Sequence, residues 1–267
     1  MKRIFTDQMS RVVEIEFPPL RIVSLVPSQT ELLYDLELKD EVVGQTLFCI
    51  HPNTMHQEKI RVGGTKKLDL RIIEQLKPDL IIGNKEENDQ SQIEELMKYY
   101  PVWMSDVKTL EDALDMIVRI GDIVDRKENA KKLSSEIKRK FMKRPIFETE
   151  LSVAYLIWRK PYMAAGGNTF INSMLSHCGY KNVFGSEIMR YPEASFIQIQ
   201  AANPSIIFLS SEPYPFKQKH IEELNVICPD AKVLLVDGEL FSWYGSRLLK
   251  SAKYFLELKS KIEKIIY

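Results

Sequence analysis

PSQTELLYDLELKDEVVG, residues Pro27–Gly44, decides the fold, because the chain writes nearly the same passage again as GGNTFINSMLSHCGYKNVFG, Gly166–Gly185. Each copy opens on a small polar turn bearing Thr after an apolar strand, runs as an amphipathic helix, and ends in a Val-rich step to Gly. The order then repeats. LDLRIIEQLKPDLIIG (Leu68–Gly83) and ASFIQIQAANPSIIFLS (Ala194–Ser210) both read as a helix, an X-Pro stop and a buried strand. A looser third pair, PVWMSD (Pro101–Asp106) and AKVLLVDG (Ala231–Gly238), reads as a strand followed by a helix. Such a duplication predicts two similar α/β lobes, and a cleft between lobes is a place for a ligand.

Working outward, RIVSLV (Arg21–Val26), bounded by Pro19 and Pro27, is a buried strand, and Ser28-Gln29-Thr30-Glu31 has the form of a capping box that starts a helix. Leu47–Lys67, with its His, Pro, Asn and Gly-Gly, reads as a long loop. The N-terminal MKRIFTDQMSRVVEIEF alternates about Asp7–Ser10 like a hairpin. Between the copies, Leu110, Leu114, Ile117, Ile120 and Val124 keep helical spacing, with a polar patch at Asp125–Asn129 where the stretch can divide. A helix of about 20 residues is about 30 Å long, the length of a rigid spine. The expected fold class is therefore α/β: two lobes, each a mostly parallel sheet flanked by helices, joined by one long rigid backbone helix. The expected boundaries are an N-terminal lobe over 1–107 with a hairpin over 1–17, a linking helix over 108–144, and a C-terminal lobe over 145–267.

Composition narrows the function. Of 267 residues, 37 are Lys or Arg and 37 Asp or Glu, so the chain lacks the basic excess of a nucleic-acid binder. No apolar run approaches the length of a membrane span. The N-terminus has no apolar core of a secretory signal, and Cys49, Cys178 and Cys228 form no C-x-x-C pair. Together these predict a cytoplasmic protein in a reducing compartment, with a periplasmic or lipid-anchored location as the alternative.

Parallel sheets bind ligands at the carboxyl ends of their strands, which selects the loops after each strand. Ser28, Thr30 and Asn168 stand at two helix starts, where exposed N–H groups favour an anion or carbonyl, although simple capping explains such residues as well. Lys85, Glu86 and Asn88 follow one strand, and Ser211 and Glu212 hold the corresponding place in the second copy. Trp158, Tyr214, Trp243 and Tyr244 are aromatic residues in loops, suited to a flat, bulky ligand, while Arg159, Arg190 and Arg247 suit carboxylates or phosphates. Cys49, His51 and His56 form the most metal-like cluster, though their spacing matches no closed zinc site and structural roles remain open.

The segments IVSLVPSQTELLYDL, VGGTKKLDLRIIEQLKPDLIIG, GGNTFINSMLSHCGYKNVFG and VDGELFSWYGSRLL resemble the cobalamin/iron-siderophore class of ABC-importer substrate-binding proteins, over about Arg21 to Tyr254. The resemblance implies a non-enzymatic binder with no built-in cofactor, holding cobalamin, haem or a ferric siderophore in a cleft between two lobes joined by a rigid helical backbone. It implies an ABC permease as partner, with two departures. Cobalamin receptors of the class dock through one glutamate on each lobe, and those positions carry Arg71 and Ile197 here; two cleft aromatics of that class fall near Thr65 and Met163. The expected protein is a monomer with a small-molecule ligand. Two alternatives are a cytoplasmic sensor or carrier of a polar metabolite, and an enzyme using Cys49, His51 and Glu86.

Overall fold

The computed structural model describes residues 1–142 and 150–266. The chain falls into two compact units, the first comprising 1–107, 111–138 and 243–249, the second 108–110, 139–242 and 250–267.

The first unit opens with the antiparallel hairpin β1 (Lys2–Thr6) and β2 (Val12–Glu16). Asp7 closes its turn: the buried carboxylate accepts the N–H groups of Met9 at 2.9 Å and Arg11 at 2.8 Å and pairs with the Arg11 guanidinium. There follow β3 (Ile22–Ser24), α1 (Pro27–Asp35), β4 (Val42–Gln45), α2 (Asn53–Glu58), β5 (Ile60–Arg61), α3 (Leu70–Leu76), β6 (Leu80–Asn84), α4 (Gln90–Met97) and β7 (Val102–Ser105). The five strands from β3 onward form a parallel sheet in the order β5-β4-β3-β6-β7. Parallel strands are covered on both faces, and accordingly all of β3, β6 and β7 is buried.

The stretch expected as one long helix is two, α5 (Leu110–Ile123) and α6 (Lys127–Phe141). They break inside the polar patch, where Asp125 takes a left-handed φ of 58° and the Arg126 N–H returns to the Gly121 carbonyl at 2.7 Å. Residues 111–138 group with the first unit, and the boundary expected at 144/145 lies outside the described residues.

The second unit contains β8 (Leu151–Trp158), β9 (Met163–Ala164), α7 (Phe170–His177), β10 (Tyr180–Asn182), α8 (Phe196–Ala202), β11 (Ile206–Ser210), α9 (Gln218–Ile227), β12 (Lys232–Val236) and α10 (Gly238–Ser242), and most of α11 (Leu248–Ile266). Its parallel order is β10-β8-β11-β12, with β9 antiparallel on β8. Its four parallel strands repeat the order of the first unit, with β5 left over: β8 stands where β3 stands, β10 where β4, β11 where β6, and β12 where β7. The duplication read from sequence is thus a duplication of sheet order. In both copies the helix before the X-Pro stop ends on a left-handed residue, Lys77 (φ 47°) after α3 and Asn203 (φ 43°) after α8.

Local details differ from the sequence reading. Ser28 caps nothing: α1 begins at Pro27 after Val26, with no side-chain cap, and a proline at the first helical position has no N–H to satisfy. The cap of α7 is Thr169 rather than Asn168, its Oγ1 accepting the Asn172 N–H at 3.1 Å. A true capping box forms instead at Ser195 and Gln198, opening α8. The expected long loop over 47–67 contains α2 and the two-residue β5, both too short to leave a periodic signal. Gly167, the second residue of the second copy, and Gly185, its last, touch: a Cβ on Gly167 would lie 1.9 Å from the Gly185 carbonyl oxygen.

Candidate functional site

In each sheet the chain leaves its central strand in opposite directions, which opens a crevice at the carboxyl ends of two neighbouring strands. In the first unit these are β3 and β6; in the second, β8 and β11.

The first crevice is occupied by the protein's own chain. Thr30 Oγ1 lies 2.7 Å from Ser24 Oγ, 3.0 Å from the Val26 carbonyl and 3.1 Å from Cys49 Sγ. Gln29 donates to Ser105 Oγ at 2.6 Å. Asn88 Oδ1 accepts the Asn84 N–H at 2.8 Å, while its amide donates to the Leu25 and Thr65 carbonyls. Onto these strand ends comes the segment 243–249. Gly245 (φ 118°) lies so close that a Cβ there would sit 3.0 Å from the Ser28 carbonyl oxygen. Burial pushes the Tyr244 phenol well up, and the charges of Glu87 and Glu86 push it the same way. Arg247 forks onto Glu31, Nε to Oε2 at 2.7 Å and Nη2 to Oε1 at 2.9 Å, with the two side chains 8% and 7% exposed. The guanidinium also covers the Trp243 ring at 4.5 Å, and His51 meets that ring edge-on at 5.6 Å.

Several residues predicted from sequence to face a ligand are therefore internal. Ser28, Thr30, Asn88, Trp243, Tyr244 and Arg247 are all buried, and Thr30, Asn88, Trp243 and Arg247 contact residues of the first unit itself. The metal reading is also corrected. Among the described residues no three His, Cys, Asp or Glu side chains are grouped to hold an ion. Cys49 is buried against Thr30 and Thr46, burial pushes its thiol up, and His56 Nδ1 is engaged by the Cys49 carbonyl at 3.1 Å. A buried thiol so shifted is not the exposed thiolate that a ligand or nucleophile requires.

What the first unit leaves on the surface is different. Lys85 pairs with Asp106 at 3.0 Å, and Glu86 is half-buried, its carbonyl accepting from Lys66. Leu47, Phe48 and Ile50 are exposed directly after β4, Phe48 by 58%. Sequence reasoning passed over this apolar run because it lies beside Cys49 and His51, which drew the metal reading.

The strand-end loops at the second crevice are aromatic. Trp158, at the end of β8, is 40% exposed and meets Tyr214 edge-on at 5.7 Å; Tyr214 meets Phe216 at 4.8 Å. Core packing would hide these rings, and here two of them stay accessible at strand ends. Behind them Arg159 donates to Glu223 at 2.7 Å and Tyr162 donates to the same carboxylate at 3.1 Å. Burial pushes the Tyr162 phenol up to about 12. The polar pair lies on the same loop as Tyr214 and turns toward the segment after β12: Ser211 Oγ accepts the Gly238 N–H at 2.9 Å, and Glu212 Oε1 accepts from Ser242 at 2.7 Å. Asn168 is exposed and Arg190 half-buried, on loops that precede α7 and follow β10. The structure thus brings Trp158, Arg159, Ser211, Glu212 and Tyr214 onto the loops of one crevice.

The family of periplasmic binding proteins matches residues 22–225, and the chain belongs to that family. It is 28% identical over 239 residues to the vitamin B12-binding protein of Photorhabdus laumondii, covering 88% of this chain and 86% of that protein. It is 25% identical over 197 residues to the vitamin B12-binding protein of Vibrio campbellii, covering 72% and 71%. Among solved structures, the vitamin B12-binding protein BtuF of Vibrio cholerae matches with a TM-score of 0.75 at 22% identity, over 92% of this chain and 100% of that one. The molybdate-binding protein MolA of Haemophilus influenzae matches at 0.79 and 15% identity, over 98% and 91%. At these identities the structural matches speak for the fold.

Family membership overturns the cytoplasmic expectation, since the family is one of periplasmic binding proteins. The cysteine argument behind it fails for a physical reason. All three thiols are buried and pushed up by burial, and inert thiols do not require a reducing compartment.

Proposed function

We propose that the protein is the substrate-binding component of an ABC-type uptake system, works in the periplasm, and holds a bulky metal-containing macrocycle of the cobalamin or haem type. The observation that carries this reading is the accessible Trp158–Tyr214 pair at the strand ends of a chain that belongs to the periplasmic binding proteins. The likeness to vitamin B12-binding proteins over most of the chain supports a corrinoid as the first ligand to test. A wide, flat ligand is held by aromatic faces and a few polar groups. Trp158 and Tyr214 supply the faces, and Ser211 and Glu212 the polar groups.

The ligand passes to an ABC permease. By the resemblance, Arg71, exposed on α3, and Ile197, 78% exposed on α8, fall where cobalamin receptors dock through glutamates, so a permease contact at these places lacks both acids. No helix among the described residues is long and apolar enough to cross a membrane.

The test is titration of cyanocobalamin and of haemin into the protein and into Trp158→Ala and Tyr214→Ala. Each variant should bind its ligand about tenfold more weakly, equivalent to about 1.4 kcal/mol, with the unfolding midpoint unchanged in Trp158→Ala and lowered in Tyr214→Ala, whose ring also packs on Phe216 and His220. Wild-type affinity in both variants would remove the aromatic pair from the site.

A further inference from the structure

His220 stands in the first turn of α9, just after the loop that carries Tyr214 and Phe216. Its Nδ1 accepts the backbone N–H of Lys217 at 2.8 Å. This is the returning arm of a capping box, with an imidazole where Glu or Gln is usual. Because Nδ1 is the acceptor, the single proton of the neutral ring is on Nε2, which faces the Tyr214 hydroxyl at 3.4 Å. The residue is 2% exposed and lies edge-on to Phe216 at 5.4 Å and Tyr214 at 5.6 Å. Tyr214 in turn meets Trp158.

We infer that His220 is a positioning residue for the Tyr214–Trp158 face, holding it only as the neutral Nε2–H tautomer, so that acidification loosens the face and weakens ligand binding. The inference rests on the ligand reading above for its consequence, and on geometry alone for the positioning.

A second proton must go to Nδ1. There it sets an N–H against the Lys217 N–H, so the hydrogen bond that opens α9 is lost, and a charge is left in a ring that is buried among aromatics. The charged neighbours are Arg159 from the end of β8, Lys217 from the loop, and Lys219 and Glu223 from α9. Burial is the largest influence; the three cations oppose the proton, Glu223 favours it, and the net direction is down from the ordinary 6.5. Tyr214 also faces the group, through its hydroxyl. The sign follows: the unfolded chain takes up the proton first, so the stability His220 contributes is fully present above about 6.5 and is lost as the pH falls towards the lower folded value.

The experiment uses the ligand-free full chain. Long-range nitrogen–proton spectra of histidine-labelled protein report the tautomer and midpoint of His220, and tryptophan emission, with Trp158→Phe as the blank, reports the face. Expected are an Nε2–H ring at pH 7.5, a midpoint below the ordinary imidazole value, and a Trp158 emission change that follows it. His220→Asn, whose amide oxygen replaces the Nδ1 acceptor and cannot take the proton, should abolish the emission step. Affinity for cyanocobalamin should fall at least about tenfold across the step in the wild type and stay level in the variant. An Nδ1–H ring, or emission that does not follow His220, overturns the inference even if the variant fails to fold. Co-titration without binding of cyanocobalamin or haemin at any pH leaves the positioning role standing and overturns the ligand reading instead.

Discussion

Glu31 and Arg247 are 216 positions apart in the chain and joined by two hydrogen bonds in the structure. Breaking a buried ion pair on one side leaves an uncompensated charge and costs about 3–5 kcal/mol. Arg247→Met and Glu31→Leu should each lower stability by that order in urea unfolding, while the double replacement should recover most of the loss, because apolar groups of similar volume need no solvation. Equal and additive losses would mean that the two residues do not act as a pair. Trp243→Ala belongs with them: its ring is buried between Arg247 and His51, so the cost falls on stability, about 3–5 kcal/mol for removing a buried tryptophan. From sequence, Trp243, Tyr244 and Arg247 read as ligand groups because they are aromatic and basic residues in a loop. Nothing local records that Glu31 waits for Arg247, since a contact at such a separation has no period or spacing. Trp158 and Tyr214 read the same way and do stay accessible, so loop aromatics divide into two fates that only tertiary structure separates.

At the scale of elements, the passages that repeat were legible because each combines a period, a turn and a proline stop. The equivalences of β3 with β8, and of the X-Pro exits of α3 and α8, follow from them. The break between α5 and α6 was marked by a polar patch, but the division itself depends on Asp125 adopting a left-handed backbone. α2, β5, β9 and α10 escaped notice because elements of two to six residues carry too few positions for a pattern. The left-handed exits give a prediction. Lys77 bears a Cβ at φ 47°, where glycine is free of strain, so Lys77→Gly should stabilise the protein by up to about 1 kcal/mol. Asn203→Gly, starting from a residue that tolerates this region, should gain less. A loss of stability in Lys77→Gly, seen as a lower thermal midpoint, would show that the lysine stem contributes more than the backbone strain removes. At the other end of α8, Ser195→Ala removes a complete capping box and should cost about 1 kcal/mol.

At the scale of the molecule, two units with the same strand order and membership of the periplasmic binding proteins describe a binding scaffold, whose first crevice is closed by the chain's own segment 243–249 and whose second presents aromatic rings. The fold was readable because duplication is a global pattern. The cysteines pointed to the wrong compartment because unpaired thiols are weak witnesses beside burial, which makes them inert. The pH dependence of the second crevice through His220 connects this scale to that of the residue. The most direct measurement of the central claim is isothermal titration of cyanocobalamin, and then of haemin, into the purified protein at pH 7.5. One ligand bound per chain, with affinity lowered about tenfold in Tyr214→Ala, is the predicted result. No heat and no retained colour with either macrocycle would contradict the account.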